Sequence, residues 1–192
     1  MTFKSIALAA ALAIGSALPA AAEPYVIDKS HAHILFSANH LGFSTVHGQF
    51  REFDAQVDFN PEKVEETRLR FVIKAASIDT SWEPRDEHLR GADFFDVANH
   101  PEIVFESTRV APTGSDTATV TGNITIRGVT REVAFEAKLN KLGPSPFDPS
   151  KTIAGFSAQG EIDRTAFGMD YAAPAVSAVI PVEIELEMSP AE

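Results

Sequence analysis

Histidines and carboxylates at short spacing are the first candidates for chemistry in this chain. His31 and His33 stand two apart, which would place both on one face of a strand. His40, His47 and His88, with Asp28 or Glu52, could approach them to complete a metal-dependent catalytic centre. The same spacing is more commonly that of exposed or hydrogen-bonded strand histidines. No serine sits in a G-x-S-x-G turn, there is no cysteine, and no glycine-rich loop could cradle a phosphate, so nucleophilic and nucleotide chemistry lack their parts. The chain is therefore read as non-enzymatic, with no cofactor of its own. A second group, Arg85, Asp86, His88 and Arg90, offers donors and acceptors that could hold a phosphate or a quinone ring without reacting with it. Asp86 and Arg90 also stand at the i,i+4 spacing of an ordinary helix ion pair.

The element that positions this second group runs from Ser77 to Val97 and is the clear helical segment, over about residues 82–91. Ser81 or Glu83 is expected to cap it, Pro84 suits its first turn, and Gly91 is expected just past its end in a positive-φ conformation. Trp82 and Leu89 share a stripe, with Arg85 and Asp86 between them, so charges fall on the inward face. Such a helix would close one end of a core or cavity with Phe94 and Phe95 behind it. An exposed connector with solvated charges fits the periodicity equally well.

Around it the chain alternates with period two. Ile34, Phe36 and Ala38 oppose Leu35, Ser37 and Asn39. Ala55, Val57 and Phe59 oppose Asp54, Gln56 and Asp58 until Asn60-Pro61 stops the run. Similar segments surround Phe71, Phe105, Ile124, Phe135, Phe156 and Ile184, and Arg127-Gly128 reads as a tight hairpin. Roughly eight such segments with one wet face each make an all-β antiparallel sheet, and both a closed barrel and a sandwich satisfy the pattern. Strands without proline leave edges unprotected, which favours closure. Of the fourteen phenylalanines, Phe36, Phe50, Phe71, Phe105, Phe135 and Phe156 face inward by alternation, while Phe53, Phe94, Phe95 and Phe167 lie near turns. Rings can simply fill a core. Mixed with small inward residues such as Ala38, Ala55, Gly122 and Ala158, they could instead leave a tunnel.

Four stretches carry a resemblance: His31-Ala32-His33-Ile34-Leu35-Phe36; Ser77-Ile78-Asp79-Thr80 with Arg85 to Val97; Gly122 to Arg131, including Ile124; and Ile162-Asp163-Arg164-Thr165-Ala166-Phe167-Gly168-Met169. In this order they resemble the YceI family of secreted, lipocalin-like proteins that bind polyisoprenoids. The resemblance implies an eight-stranded antiparallel barrel whose tunnel takes a long isoprenoid, a polyprenyl lipid or a quinone tail. The ligand would be lined by the inward phenylalanines together with Ile78, Trp82, Leu89, Phe94, Phe95, Ile124 and Phe167, with Arg85, Asp86 and His88 at the head group. One departure stands out: an acidic residue is expected in the turn before the last strand, where this chain has Val176-Ser177-Ala178-Val179.

Lys4, the apolar run from Ile6 to Leu18 and the small residues to Ala22 read as a signal peptide over residues 1–22, followed by one barrel domain over 23–192 in the periplasm. The net charge of −11 argues against nucleic acid as partner. Expected partners are the isoprenoid itself, a membrane or membrane protein met transiently, and a second copy in a homodimer. A stress-response module with a packed core is the remaining alternative.

Overall fold

Where polar and apolar residues alternate, the backbone pairs into one antiparallel sheet of eleven strands in the computed structural model, which describes residues 22–191. The expected leader, residues 1–22, lies outside the described residues but for Ala22. The strands are β1 Glu23–Ile27, β2 His33–His40, β3 Ser44–Phe50, β4 Phe53–Phe59, β5 Arg68–Lys74, β6 Ile78–Asp79, β7 Glu102–Pro112, β8 Thr117–Ile126, β9 Val129–Pro144, β10 Thr152–Asp163 and β11 Val179–Pro190, with helix α1 over Glu83–Arg90. β1, β4, β5 and β7 to β11 form a ring, because β11 pairs back onto β1 with Tyr25 opposite Pro190. β2, β3 and β6 lengthen the first three members of that ring. β2 follows β1 along β11, β3 leads into β4, and β6 follows β5. The result is a closed eight-stranded antiparallel barrel, which leaves the ring without a free edge.

Local chemistry explains the breaks and turns. Asp28 caps a 3-10 turn over Lys29–His31 by accepting from the Ser30 N–H at 2.9 Å, separating β1 from β2. Arg127 and Gly128 take φ of 51° and 72° between Ile126 and Val129, the paired left-handed values a two-residue hairpin needs. Asn60 stops β4 because its side-chain oxygen accepts from the N–H groups of Glu62 and Lys63, both at 3.0 Å. Beside it the far end of the barrel is plugged. Phe59 packs edge-on against Tyr25 at 5.4 Å and Phe156 at 5.3 Å, with Val57, Ala154 and Met188 buried around them.

Helix α1 lies where the sequence places it, but its ends differ from expectation. Trp82 is the N-cap residue and provides no side-chain cap, while Ser81 sits at φ 64° with its N–H given to Asp79. Gly91 takes φ −73° in extended backbone rather than a positive angle. Asp86 and Arg90 do not pair. Arg90 donates to Glu83 at 2.7 Å and to the carbonyls of Ala76 and Ile78, which ties the helix to the β5–β6 junction.

Candidate ligand-binding cavity

The barrel encloses a cavity of about 610 Å³, within the range of roughly 300–1,000 Å³ usual for small-molecule sites. Its wall is made by the inward faces of the strands. Phe36, Phe50, Phe71, Phe105, Phe135 and Phe156 line it, together with Ile78 and Ile124. Trp82, Arg85, His88 and Leu89 reach it from α1, and Phe94 and Phe95 from the loop after α1. Asp86 and Phe167 do not line it. The Asp86 carboxylate is 2% exposed and accepts from the Thr80 N–H at 2.9 Å and from the Thr80 hydroxyl, so it locks the strand–helix junction instead of meeting a head group. Phe167 is buried in the packed core under the 3-10 turn Arg164–Phe167.

So many rings leave space because several of them lie against glycine. Gly48 stands opposite Phe36 and Gly160 opposite Phe135, while Gly122 lies under the Phe105 ring. A Cβ on Gly122 would fall 2.5 Å from that ring, one on Gly160 2.6 Å from Phe135, and one on Gly48 closer still to Phe36. Without side chains at these positions the rings rest on the sheet and pair along the wall. Phe36 with Phe50 and Phe105 with Phe135 both lie at 5.7 Å between centroids.

The lining residues that are also exposed are His40, Trp82, Pro84, His88, Tyr171 and Ala172, all at the α1 end. The mouth is therefore there. His88 packs edge-on against Phe94 and Tyr171, each at 5.0 Å, and its Nε2 lies 3.1 Å from Asp93. The chain after the 3-10 turn is held to β2 by hydrogen bonds from Leu41 N–H to the Ala175 carbonyl and from Ser177 N–H to the Asn39 carbonyl.

Beneath the mouth lies a residue that pattern reading passed over. Arg164 is 5% exposed, yet it lines the cavity. Its guanidinium donates to the carbonyls of Ser177 and Val176 at 2.9 Å and to that of Met169, and stands 5.8 Å above the Phe94 ring. Burial pushes this group below its ordinary value, opposed by the charges of Asp163 and Asp170. The departure at Val176-Ser177 is thus a place where the arginine meets carbonyls. The signal for it in the sequence is the motif Ile162 to Met169, where a charged residue stands between the apolar Ile162 and Phe167.

Among the histidines, Asp28, His31 and Glu187 bring ligand-type atoms together on the outer wall, none of them lining the cavity. His33 and Glu52 are not in this group, and His40 and His88 lie at the mouth. Within this cluster His31 Nδ1 donates to the Asp28 carboxylate at 2.9 Å.

Residues 25–188 match the model of the YceI-like domain. The chain belongs to this family. Among its YceI-like relatives, a UPF0312 protein of Azotobacter vinelandii is 42% identical over 166 residues, covering 83% of this chain and 85% of that protein. BcnA of Burkholderia cenocepacia shares the fold, with a TM-score of 0.76 at 24% identity over 84% of this chain and 98% of that one. A polyisoprenoid binding domain from Saccharophagus degradans, implicated in plant cell wall breakdown, superposes with a TM-score of 0.67 at 13% identity, covering 88% of this chain and 99% of that domain. Both structural likenesses speak for the fold of this YceI-like barrel.

Proposed function

We propose that the protein is a periplasmic carrier or store for a long-chain isoprenoid, a polyprenyl lipid or a quinone tail, without catalysis of its own. The observation that carries this is the apolar cavity of about 610 Å³, plugged at one end and open at the other. Its shape suits a chain fed in from the α1 end. Burying a methylene-sized group is worth about 0.8 kcal/mol, so a five-carbon prenyl unit supplies about 4 kcal/mol before ordering costs. The polyisoprenoid binding domain of Saccharophagus degradans lends the ligand class support by its shared fold. The leader-like composition of residues 1–22 supports export, with residues 23–192 as the mature barrel.

Loading from a membrane is supported by the exposed apolar residues around the mouth. Phe43, Trp82, Tyr171 and Leu41 are 88%, 58%, 51% and 49% exposed, and aromatic side chains of this kind favour a lipid–water boundary. Among the described residues no helix is long and apolar enough to cross a membrane. A second copy covering the same rim would show as a dimer in sedimentation.

The test is organic extraction of the purified protein with mass spectrometry of the extract, followed by uptake of added polyprenyl lipid. Recovery of an isoprenoid, or stoichiometric uptake, is the expected result; a protein that yields no isoprenoid and takes none up would overturn the carrier reading.

A further inference from the structure

We propose that the plugged end of the cavity is a ruler, with Phe59 as its stop, and that it selects isoprenoids by length. This rests on the isoprenoid reading above and narrows it from a chemical class to a size. The first observation is that the cavity ends here on packed side chains and not on solvent. Val57, Phe59, Phe156 and Met188 line it at this end, and Val57, Phe59 and Met188 are each 3% exposed. Tyr25 and Ala154 belong to the same buried cluster but do not line the cavity, so they stand behind the stop. Phe59 is the partition between the two sides. It lines the cavity, and its ring also meets Tyr25 edge-on behind it and Phe156 beside it. Asn60, the next residue, is fully buried, and its bonds to the N–H groups of Glu62 and Lys63 fix the end of β4 at this point.

The second observation is capacity. A five-carbon prenyl unit fills roughly 120 Å³ at the packing density of about 0.75 found in protein interiors, so a cavity of about 610 Å³ holds about five units. The wall cannot widen to admit more, because each strand of the ring is hydrogen-bonded to a neighbour on both sides. In a donor membrane the apolar units are already out of water, so moving one into the cavity changes its transfer free energy little. Each unit beyond capacity is left in water at the mouth, at a cost that grows with its apolar area. Loading from a membrane is therefore limited by length instead of climbing with it.

The experiment loads delipidated mature protein from phosphatidylcholine vesicles that hold equal amounts of prenols of three to eight units. The protein is separated from the vesicles, and each chain length is quantified by mass spectrometry. Occupancy relative to the vesicles is expected to fall at least about tenfold between five and seven units. Phe59→Ala opens the partition toward Tyr25 by roughly 100 Å³, about one prenyl unit, and is expected to move the fall one unit higher. It removes a core ring, so its folding is checked first by circular dichroism. Leu69→Trp is the second variant and decides the matter if the first does not fold. Leu69 is half-buried on the wall opposite Val57, and the larger ring shortens the cavity, which is expected to move the fall one unit lower. Eight-unit chains loaded as well as five-unit chains, or folded variants that leave the profile in place, overturn the ruler and leave the isoprenoid reading standing. Absence of any loaded prenol overturns both.

Discussion

Asp28 and His31 hold each other's charge on the outer wall, and their titrations run in opposite directions. The Asp28 carboxyl is lowered to about 2, first by the Ser30 hydroxyl and then by His31, while His31 is raised first by its hydrogen bond to Asp28. Asp28 therefore contributes stability above its unfolded value of about 3.9, lost as pH falls toward about 2. His31 contributes below its unfolded value of about 6.5 and loses it as pH rises through its raised folded value. The pair is thus fully formed between about pH 4 and 6.5. Asp28→Asn is expected to bring the His31 titration back down in an NMR pH series; an unmoved His31 would show that the pair does not form. Asp86 tests burial instead. Asp86→Ala leaves the Thr80 N–H and hydroxyl without their acceptor, at a cost of about 1–3 kcal/mol in denaturant unfolding. At this scale residue type and spacing marked most of the lining side chains, because strand alternation assigns a face. They misplaced Asp86, whose direction depends on a partner across a loop, and missed Arg164, whose surroundings come from three separate stretches of chain.

At the scale of elements, the glycines keep the wall thin. The three atoms nearest a Cβ on Gly48 all belong to the Phe36 ring, which can escape into the cavity, so Gly48→Ala is expected to cost about 1–3 kcal/mol together with weaker ligand uptake. A Cβ on Gly122 also meets the Glu106 carbonyl at 2.5 Å, which is backbone and cannot swing aside. Gly122→Ala is therefore expected to be the more destabilising of the two, read from denaturation midpoints; the reverse order would mean that the rings do not rest on these glycines. Strand periods, the Arg127-Gly128 hairpin and the position of α1 were all readable from sequence, since each depends on neighbours within a few residues. The ends of α1 were not. Its anchoring falls to Asp86 and Arg90, which bond to the β5–β6 segment, and that contact overrides the local preference for a Ser81 cap and a left-handed Gly91.

Across the whole molecule, ligand binding and stability are linked. At a free isoprenoid concentration of one hundred times Kd, the folded state gains about 2.7 kcal/mol, which in a domain of this size is a rise of roughly 5–11 °C in Tm. Delipidated protein is expected to melt lower by that order than protein reloaded with polyprenyl lipid, as differential scanning calorimetry would show. Ala158→Trp places a large ring on the cavity wall and is expected to abolish this shift while the far-ultraviolet spectrum stays that of the barrel. A retained shift would move the ligand elsewhere. Sequence alone determined that the protein is an antiparallel sheet with one apolar face, one helix over it and the motifs of its family, because period, turn chemistry and short motifs are local properties. Whether that apolar face is filled or hollow was decided only in three dimensions. It depends on rings of one strand lying on glycines of the next, on Phe59 and Phe156 plugging one end, and on Arg164 meeting carbonyls after β10, contacts that form only once the strands and loops are packed together.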